Sequence, residues 1–220
     1  MRRVLASVGL LLMAAVTAGC AATAGPTASA TAESGASVSP APRSVFVVGD
    51  SNSTGFRGTF ATGRQSGDAW ASRLPAGAFA PVEGWAVDGA TTGAMRAGVE
   101  ALDPHVDQLI VMAGTNDLAT GVATDTVREN LAAIAAHVDA PEVLVLAIAP
   151  FDALATEATA LNAELRAEAT ARGWDFFDPW TGSRTAEGTW VPASTVDGVH
   201  ATREGYAAAG DAVAAHLGAP

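Results

Sequence analysis

The chain has 220 residues, with 12 cationic side chains, all of them Arg, against 23 acidic ones, a formal net charge of −11. No basic cluster interrupts that excess, so nucleic acid is excluded as a partner: a binder needs a cationic footprint to displace counterions from phosphates. The same acidity argues against electrostatic attraction to anionic lipid headgroups, and the single cysteine, Cys20, rules out an intramolecular disulfide.

Arg2 and Arg3 precede an apolar stretch, Val4 to Val16, that is too short for a comfortable membrane span. It ends in Thr17, Ala18, Gly19 and Cys20, which resembles a bacterial lipobox, with Thr17 where Leu is more usual. Residues 1–20 are therefore expected to be a lipoprotein signal peptide with Cys20 as its lipidation site. The mature chain is then held at the membrane, outside the cytoplasm, by an N-terminal lipid anchor; plain secretion is the alternative. Residues 21–43 are rich in Ala, Ser, Thr, Gly and Pro and show no apolar periodicity, the composition of a disordered tether. Residues 44–220 remain, enough for one domain with a sizeable core.

Within that domain, Ser44–Val48 is an apolar, β-branched run that predicts a buried strand. A short helix is expected over Asp68–Leu74, a second strand over Val82–Val87, and a helix over Thr92–Leu102 that Pro104 ends. Gln108–Met112 reads as a third strand. Thr124–Val138 reads as a helix with a Thr cap and apolar residues Val127, Leu131, Ile134 and Val138 on one face. A strand at Val143–Ile148, a helix at Thr156–Arg172 stopped by Gly173, a strand at Trp174–Phe177 and a helix at Arg203–Leu217 complete the pattern. Alternating strands and helices predict a parallel sheet covered on both faces, with ligands at the C-terminal ends of its strands. Ser51, Gly89 and Asn116 each follow a predicted strand by a few residues, so all three should converge on one sheet edge.

Four segments carry chemistry. Gly49, Asp50 and Ser51 place a hydroxyl at a strand-to-loop turn, although Asp and Ser there also suit a plain helix cap. Gly89 is a turn glycine between a strand and a helix. The Gly114, Thr115, Asn116 and Asp117 string offers an amide that can donate to a developing oxyanion, or a simple Asx turn. Asp197 lies three residues before His200, a spacing that lets the acid orient the ring through Nδ1 and leaves Nε2 for a hydroxyl.

In this order and spacing the segments resemble blocks I, II, III and V of the SGNH (GDSL-type) ester hydrolases, over residues 45–206. Gly55 keeps that family's second glycine and Gly205-Tyr206 fits its ending; Ala201 stands where Pro often follows the histidine. The resemblance implies a three-layer α/β/α sandwich with a five-stranded parallel sheet, flavodoxin-like in architecture. It implies Ser51, His200 and Asp197 as catalytic residues, and an oxyanion hole from Ser51, Gly89 and Asn116. Asp50 has a structural role in that pattern and Asp117 a bracing one. It implies hydrolysis of small-molecule, lipid or acylated-glycan esters through an acyl-enzyme, with no cofactor and no metal.

Three other readings fit parts of the chain. An acyltransferase would use the same residues with a different acceptor. A binding lipoprotein of the envelope would keep the fold without the chemistry. A flavodoxin-like FMN protein would use the loop Ser51–Gly55 to cradle a phosphate, leaving Asn116 and His200 unexplained. His105, His137 and His216 lack partners at ligand spacing and read as surface or packing residues. Trp85, Trp180 and Trp190 fit either a substrate cleft or the core.

Overall fold

A computed structural model describes residues 41–55 and 68–219. The expected leader, Cys20 and most of the expected tether lie outside the described residues. Among the described residues five strands, β1 (Arg43–Gly49), β2 (Phe79–Ala86), β3 (Gln108–Met112), β4 (Glu142–Leu146) and β5 (Asp175–Phe177), form one sheet in the order β2-β1-β3-β4-β5. Every pairing is parallel. Among the described residues six α-helices accompany them: α1 (Ser51–Thr54), α2 (Thr92–Glu100), α3 (Thr115–Thr120), α4 (Thr124–Val138), α5 (Ala155–Arg172) and α6 (Arg203–His216).

Side chains alternate across the sheet with the two-residue period of a strand. Val45, Val47, Ile110, Met112, Leu144 and Leu146 face one cluster, which includes Trp70, Trp180, Trp190 and, from α6, Tyr206 and Val213. Phe46, Val48, Leu109, Val111 and Val145 face the other, filled by Met95 and Val99 of α2, Val127, Leu131 and Ile134 of α4, and Leu161 and Leu165 of α5. Both faces are therefore covered, and the inner strands β1 and β3 read as apolar runs because neither of their faces meets water. The architecture is the expected three-layer α/β/α sandwich.

Several boundaries differ from expectation for physical reasons. Arg43, read as tether, belongs to β1: its N–H donates to the Ala78 carbonyl and its guanidinium reaches Glu142 and the Leu217 carbonyl. Strand β2 begins before Pro81, which is tolerated because β2 is an edge strand and needs no N–H on its outer side. Strand β4 stops at Leu146 because the Asn162 side chain takes both backbone groups of Ile148, at 2.8 and 3.2 Å. The short helix expected at Asp68–Leu74 is a single 3₁₀ turn, Trp70–Arg73; Pro75 holds Leu74 extended and stops it. The N-cap of α4 is Ala123, without a side-chain bond, so Thr124 is the first helical residue rather than its cap. Trp180 and Trp190 are core residues, at 0% and 4% exposure, and half-buried Trp85 packs onto the α2 face at Gly98.

Helix α6 lies close against the 3₁₀ turn, and Gly210 makes that approach possible: a Cβ there would collide with the Trp70 carbonyl and the Arg73 stem. Gly210→Ala is expected to lower stability by about 1–3 kcal/mol, the usual range for an overpacked contact, read as a fall in the urea midpoint. An unchanged midpoint would show that α6 can shift without loss.

Candidate active site

The loops that follow β1, β2 and β3 meet because those three strands are neighbours and run in the same direction. Asp50 caps α1, its Oδ1 accepting the Asn52 N–H at 2.9 Å, so Ser51 is the first helical residue. Gly55 ends the helix in the left-handed region at φ 77°, where a Cβ would also sit 2.6 Å from Ala69 N. The helix is clamped from behind: Tyr206 donates to Asn52 Oδ1 at 3.0 Å and Trp70 Nε1 to Ser53 Oγ at 3.3 Å.

The hairpin around residues 195–201 brings the histidine. His200 Nε2 lies 2.9 Å from Ser51 Oγ, and its Nδ1 lies 2.7 Å from Asp197 Oδ2. An ionised carboxylate only accepts, so Nδ1 carries the proton and Nε2 accepts from the serine hydroxyl. Asp197 Oδ1 also accepts the backbone N–H groups of Val199 and His200, at 2.9 and 2.8 Å. Partial burial raises the Asp197 pKa, but the hydrogen bonds from His200 and Val199 outweigh it and hold the carboxyl below its usual range. The acid is thereby kept as the anion that a ring N–H wants.

Gly89 sits between two tethers. Its predecessor Asp88 accepts the Thr54 hydroxyl at 2.6 Å, and its successor Ala90 offers its carbonyl to Asn116 Nδ2 at 3.1 Å. Gly89 has φ 78° with open space around a notional Cβ, so the backbone conformation, not room, favours glycine. Asn116, in the first turn of α3, also directs Nδ2 toward Asp50 Oδ2, a longer 3.4 Å contact. Asp117 is buried and accepts from the Thr92 N–H at 2.8 Å and hydroxyl at 2.6 Å, bracing α3 against the start of α2. Ser51, Gly89, Asn116, Asp197 and His200 are thus gathered around one point.

The remaining candidates sit elsewhere. His137 Nε2 bonds the Leu102 carbonyl, and His216 Nε2 meets Asp175 at 2.6 Å while its ring stacks on Phe177. A 500 Å³ cleft lined by Ser44, His105 and His137 opens at the start of β1 and β3, the opposite end of the sheet from Ser51. Among the described residues, no group of three or more His, Cys, Asp and Glu is disposed to hold a metal ion. A phosphate at Ser51–Gly55 would meet the Asp50 carboxylate, which already accepts the Asn52 N–H in the first turn of α1, so this turn is poorly suited to an anion. Sequence reasoning missed Tyr206 as a clamp on the nucleophile's helix; its place one helical turn after Thr202 offered no chemical signal.

A serine, a histidine and an acid thus stand in hydrogen-bonded series at the C-terminal edge of the sheet of an α/β sandwich. The sequence matches the GDSL-like lipase/acylhydrolase family over residues 47–208, and the chain belongs to that family. It is an ester hydrolase by family. Solved structures share the fold. A GDSL-like lipase from Bacteroides thetaiotaomicron superposes with a TM-score of 0.63 at 20% identity, covering 80% of this chain and 87% of its own. A lipolytic G-D-S-L family protein from Veillonella parvula gives 0.61 at 17%, covering 77% and 95%. The lipase/acylhydrolase from Enterococcus faecalis gives 0.58 at 18%, covering 80% and 95%. No curated protein matches the sequence.

Asp50 has no solvent exposure, and burial pushes its pKa up from 3.8 to about 6 despite the Asn52 N–H. The folded state therefore holds this proton more tightly than the unfolded chain. The stabilisation this gives is complete below pH 3.8 and is lost as pH rises through about 6. Asp50→Asn keeps a capping oxygen and removes the charge. Its stability relative to wild type is expected to rise by roughly 2–2.5 kcal/mol between pH 4 and pH 7, measured by urea unfolding at each pH. A difference independent of pH would show that Asp50 titrates as it does in the unfolded chain.

Proposed function

We propose that this protein hydrolyses carboxylic esters through Ser51, His200 and Asp197, and that it works outside the cytoplasm, held at the membrane by a lipid on Cys20. The observation that carries the chemistry is the unbroken series from Ser51 Oγ to His200 Nε2 at 2.9 Å and from Nδ1 to Asp197 at 2.7 Å. In that geometry Ser51 Oγ attacks the ester carbonyl carbon while its proton passes to His200 Nε2. The ring, now cationic, is stabilised by the Asp197 carboxylate. The tetrahedral intermediate collapses, the C–O bond to the alcohol breaks, and Nε2 returns the proton to the departing oxygen. Water then attacks the acyl-Ser51 carbonyl with the same histidine as base, releasing the acid and restoring the serine.

The oxyanion has three donors at hand. The Ser51 N–H lies in the first turn of α1, where no intrahelical acceptor exists. The Gly89 N–H lies between the two tethered residues. The Asn116 amide has its carbonyl-bonded hydrogen fixed by Ala90, and the 3.4 Å contact to Asp50 is the weaker one, open to replacement by an oxyanion. Such a donor is worth roughly 3–4 kcal/mol in the barrier.

Small-molecule, lipid and acylated-glycan esters all suit this chemistry, which calls for no cofactor. Ser51→Ala is expected to lower kcat on p-nitrophenyl acetate by roughly 10³–10⁶-fold with the circular dichroism spectrum unchanged. A fluorophosphonate probe should label wild type at Ser51. Labelling at another residue, or full activity in the variant, would overturn the assignment.

Export and anchoring rest on the sequence alone: Arg2 and Arg3, the apolar run and the small residues before Cys20. Among the described residues no helix is long and apolar enough to cross a membrane. Cys20→Ser is expected to move the protein from the membrane fraction to the medium, or to leave it unprocessed. Membrane retention with normal processing in that variant would place the anchor elsewhere.

A further inference from the structure

Among the described residues the large hydrophobic side chains that stand exposed are Val87, Leu102 and Val196, and Val196 is the most exposed at 56%. A lone exposed valine is ordinary on a protein surface. The position of this one is not. Thr195 and Ala201 form an antiparallel bridge, the Thr202 N–H donates to the Ser194 carbonyl, and the Val196 N–H donates to the His200 carbonyl at 3.0 Å. This register sets Val196 directly opposite His200. Residues directly opposite in an antiparallel pair carry their side chains on the same face. Val196 therefore shares a face with the imidazole that reaches Ser51.

The hairpin is also held firmly. Thr195 Oγ1 donates to the His200 carbonyl at 2.7 Å and accepts from the Gly198 N–H at 2.9 Å, and the Asp152 N–H donates to the Gly198 carbonyl at 2.9 Å. Val196 is thus presented to solvent by a braced loop. Chemistry then decides which part of an ester it would meet. His200 Nε2 must hand its proton to the departing alcohol oxygen, so the alcohol portion stands on the histidine side of the scissile bond. Among the described residues the charge on that side is negative: Asp197 follows Val196, and Asp152 Oδ2 lies 3.2 Å from where a Gly198 Cβ would be. The nearby cation Arg203 is paired with Asp68 at 3.0 Å.

We propose that Val196 is a specificity residue that contacts the alcohol portion of the ester, so that the enzyme selects esters with an apolar, uncharged leaving group. The proposal rests on the hydrolase reading above. Apolar contact at such a rim improves transition-state binding in proportion to the surface covered.

The test varies the alcohol at constant acyl group: methyl, butyl and hexyl acetate, together with the acetate ester of an ω-hydroxy carboxylate matched in length to hexanol. Wild type is expected to show kcat/KM rising with alcohol length and to disfavour the carboxylated ester by roughly tenfold or more relative to hexyl acetate. Val196→Ser should lower the hexyl-to-methyl ratio by roughly three- to tenfold, and Val196→Leu should preserve it. Methyl hexanoate measured alongside reports on the acyl side. An unchanged hexyl-to-methyl ratio in Val196→Ser, or a loss that follows methyl hexanoate instead of hexyl acetate, would overturn the proposal while leaving the hydrolase intact. A wild type inactive on every ester, p-nitrophenyl acetate included, would instead overturn the hydrolase reading and this proposal with it.

Discussion

Strand β1 is hydrogen-bonded on both flanks, to β2 on one side and β3 on the other, over the same residues Val45–Gly49. That double pairing fixes where the chain leaves the sheet, because Gly49 is held laterally by Ala86 and Met112 in register. All three strands run the same way, so the residues that follow them emerge together at one edge. Ser51, Gly89 and Asn116 are far apart in sequence and adjacent in space for this reason alone. The short loops then complete what the sheet begins. A Cβ on Gly49 would collide with the Ser53 side chain, so α1 can turn directly off the strand only with glycine there.

What stands at that edge is polar and buried, a combination that does not favour stability. Asp50, Asn52, Ser53, Thr54, Thr92 and Asp117 all have no exposure, whereas most other buried positions among the described residues are apolar. Most of this polarity is answered locally: Asp50 by the Asn52 N–H, Asp117 by Thr92, Asn52 by Tyr206. The network leaves little freedom for Ser51 and Asn116 to move relative to one another. Rigid placement of donors before charge develops is what makes an oxyanion site effective. The carboxyl of Asp50 bears the electrostatic consequence, since burial works against its charge.

The last part of the site comes from a different kind of structure. Between β5 and α6 the chain has little regular structure, and backbone and side-chain hydrogen bonds shape it. Asp152 accepts the Trp190 N–H and donates its own N–H to the Gly198 carbonyl, linking the loop after β4 to the hairpin that carries His200. Trp180 and Trp190, packed edge to face at 5.6 Å, seat this segment on the core. The histidine is thereby delivered to Ser51 across 149 residues of sequence. Solved relatives at 17–20% identity share the fold, as expected when burial pattern and strand order, not particular core side chains, specify the architecture.

Much of this was legible in the sequence. The apolar runs at Ser44–Val48 and Gln108–Met112 match β1 and β3 because buried parallel strands must be apolar on both faces, a signal that needs no tertiary information. The apolar spacing in Thr124–Val138 and the stop at Gly173 were equally local, and the four chemical segments were visible as residue types in order. Boundaries were less legible where a partner elsewhere in the chain decides them: Arg43 joins β1 through Ala78, β2 continues through Pro81 because it lies at the edge, and Ile148 leaves β4 for the Asn162 side chain. The sequence by itself determined the layered α/β class through hydrophobic periodicity, and its resemblance to the SGNH hydrolases picked out the candidate serine, histidine and acid, because both signals are properties of short segments. Only the tertiary structure decided the 2.9 Å contact between Ser51 and His200, the clamp from Tyr206, the burial of Asp50 and the pairing of Val196 with His200. Each of these depends on the relative placement of segments far apart in the chain or on the register of a hairpin, and such geometry exists only once the sheet order and the loop hydrogen bonds have formed.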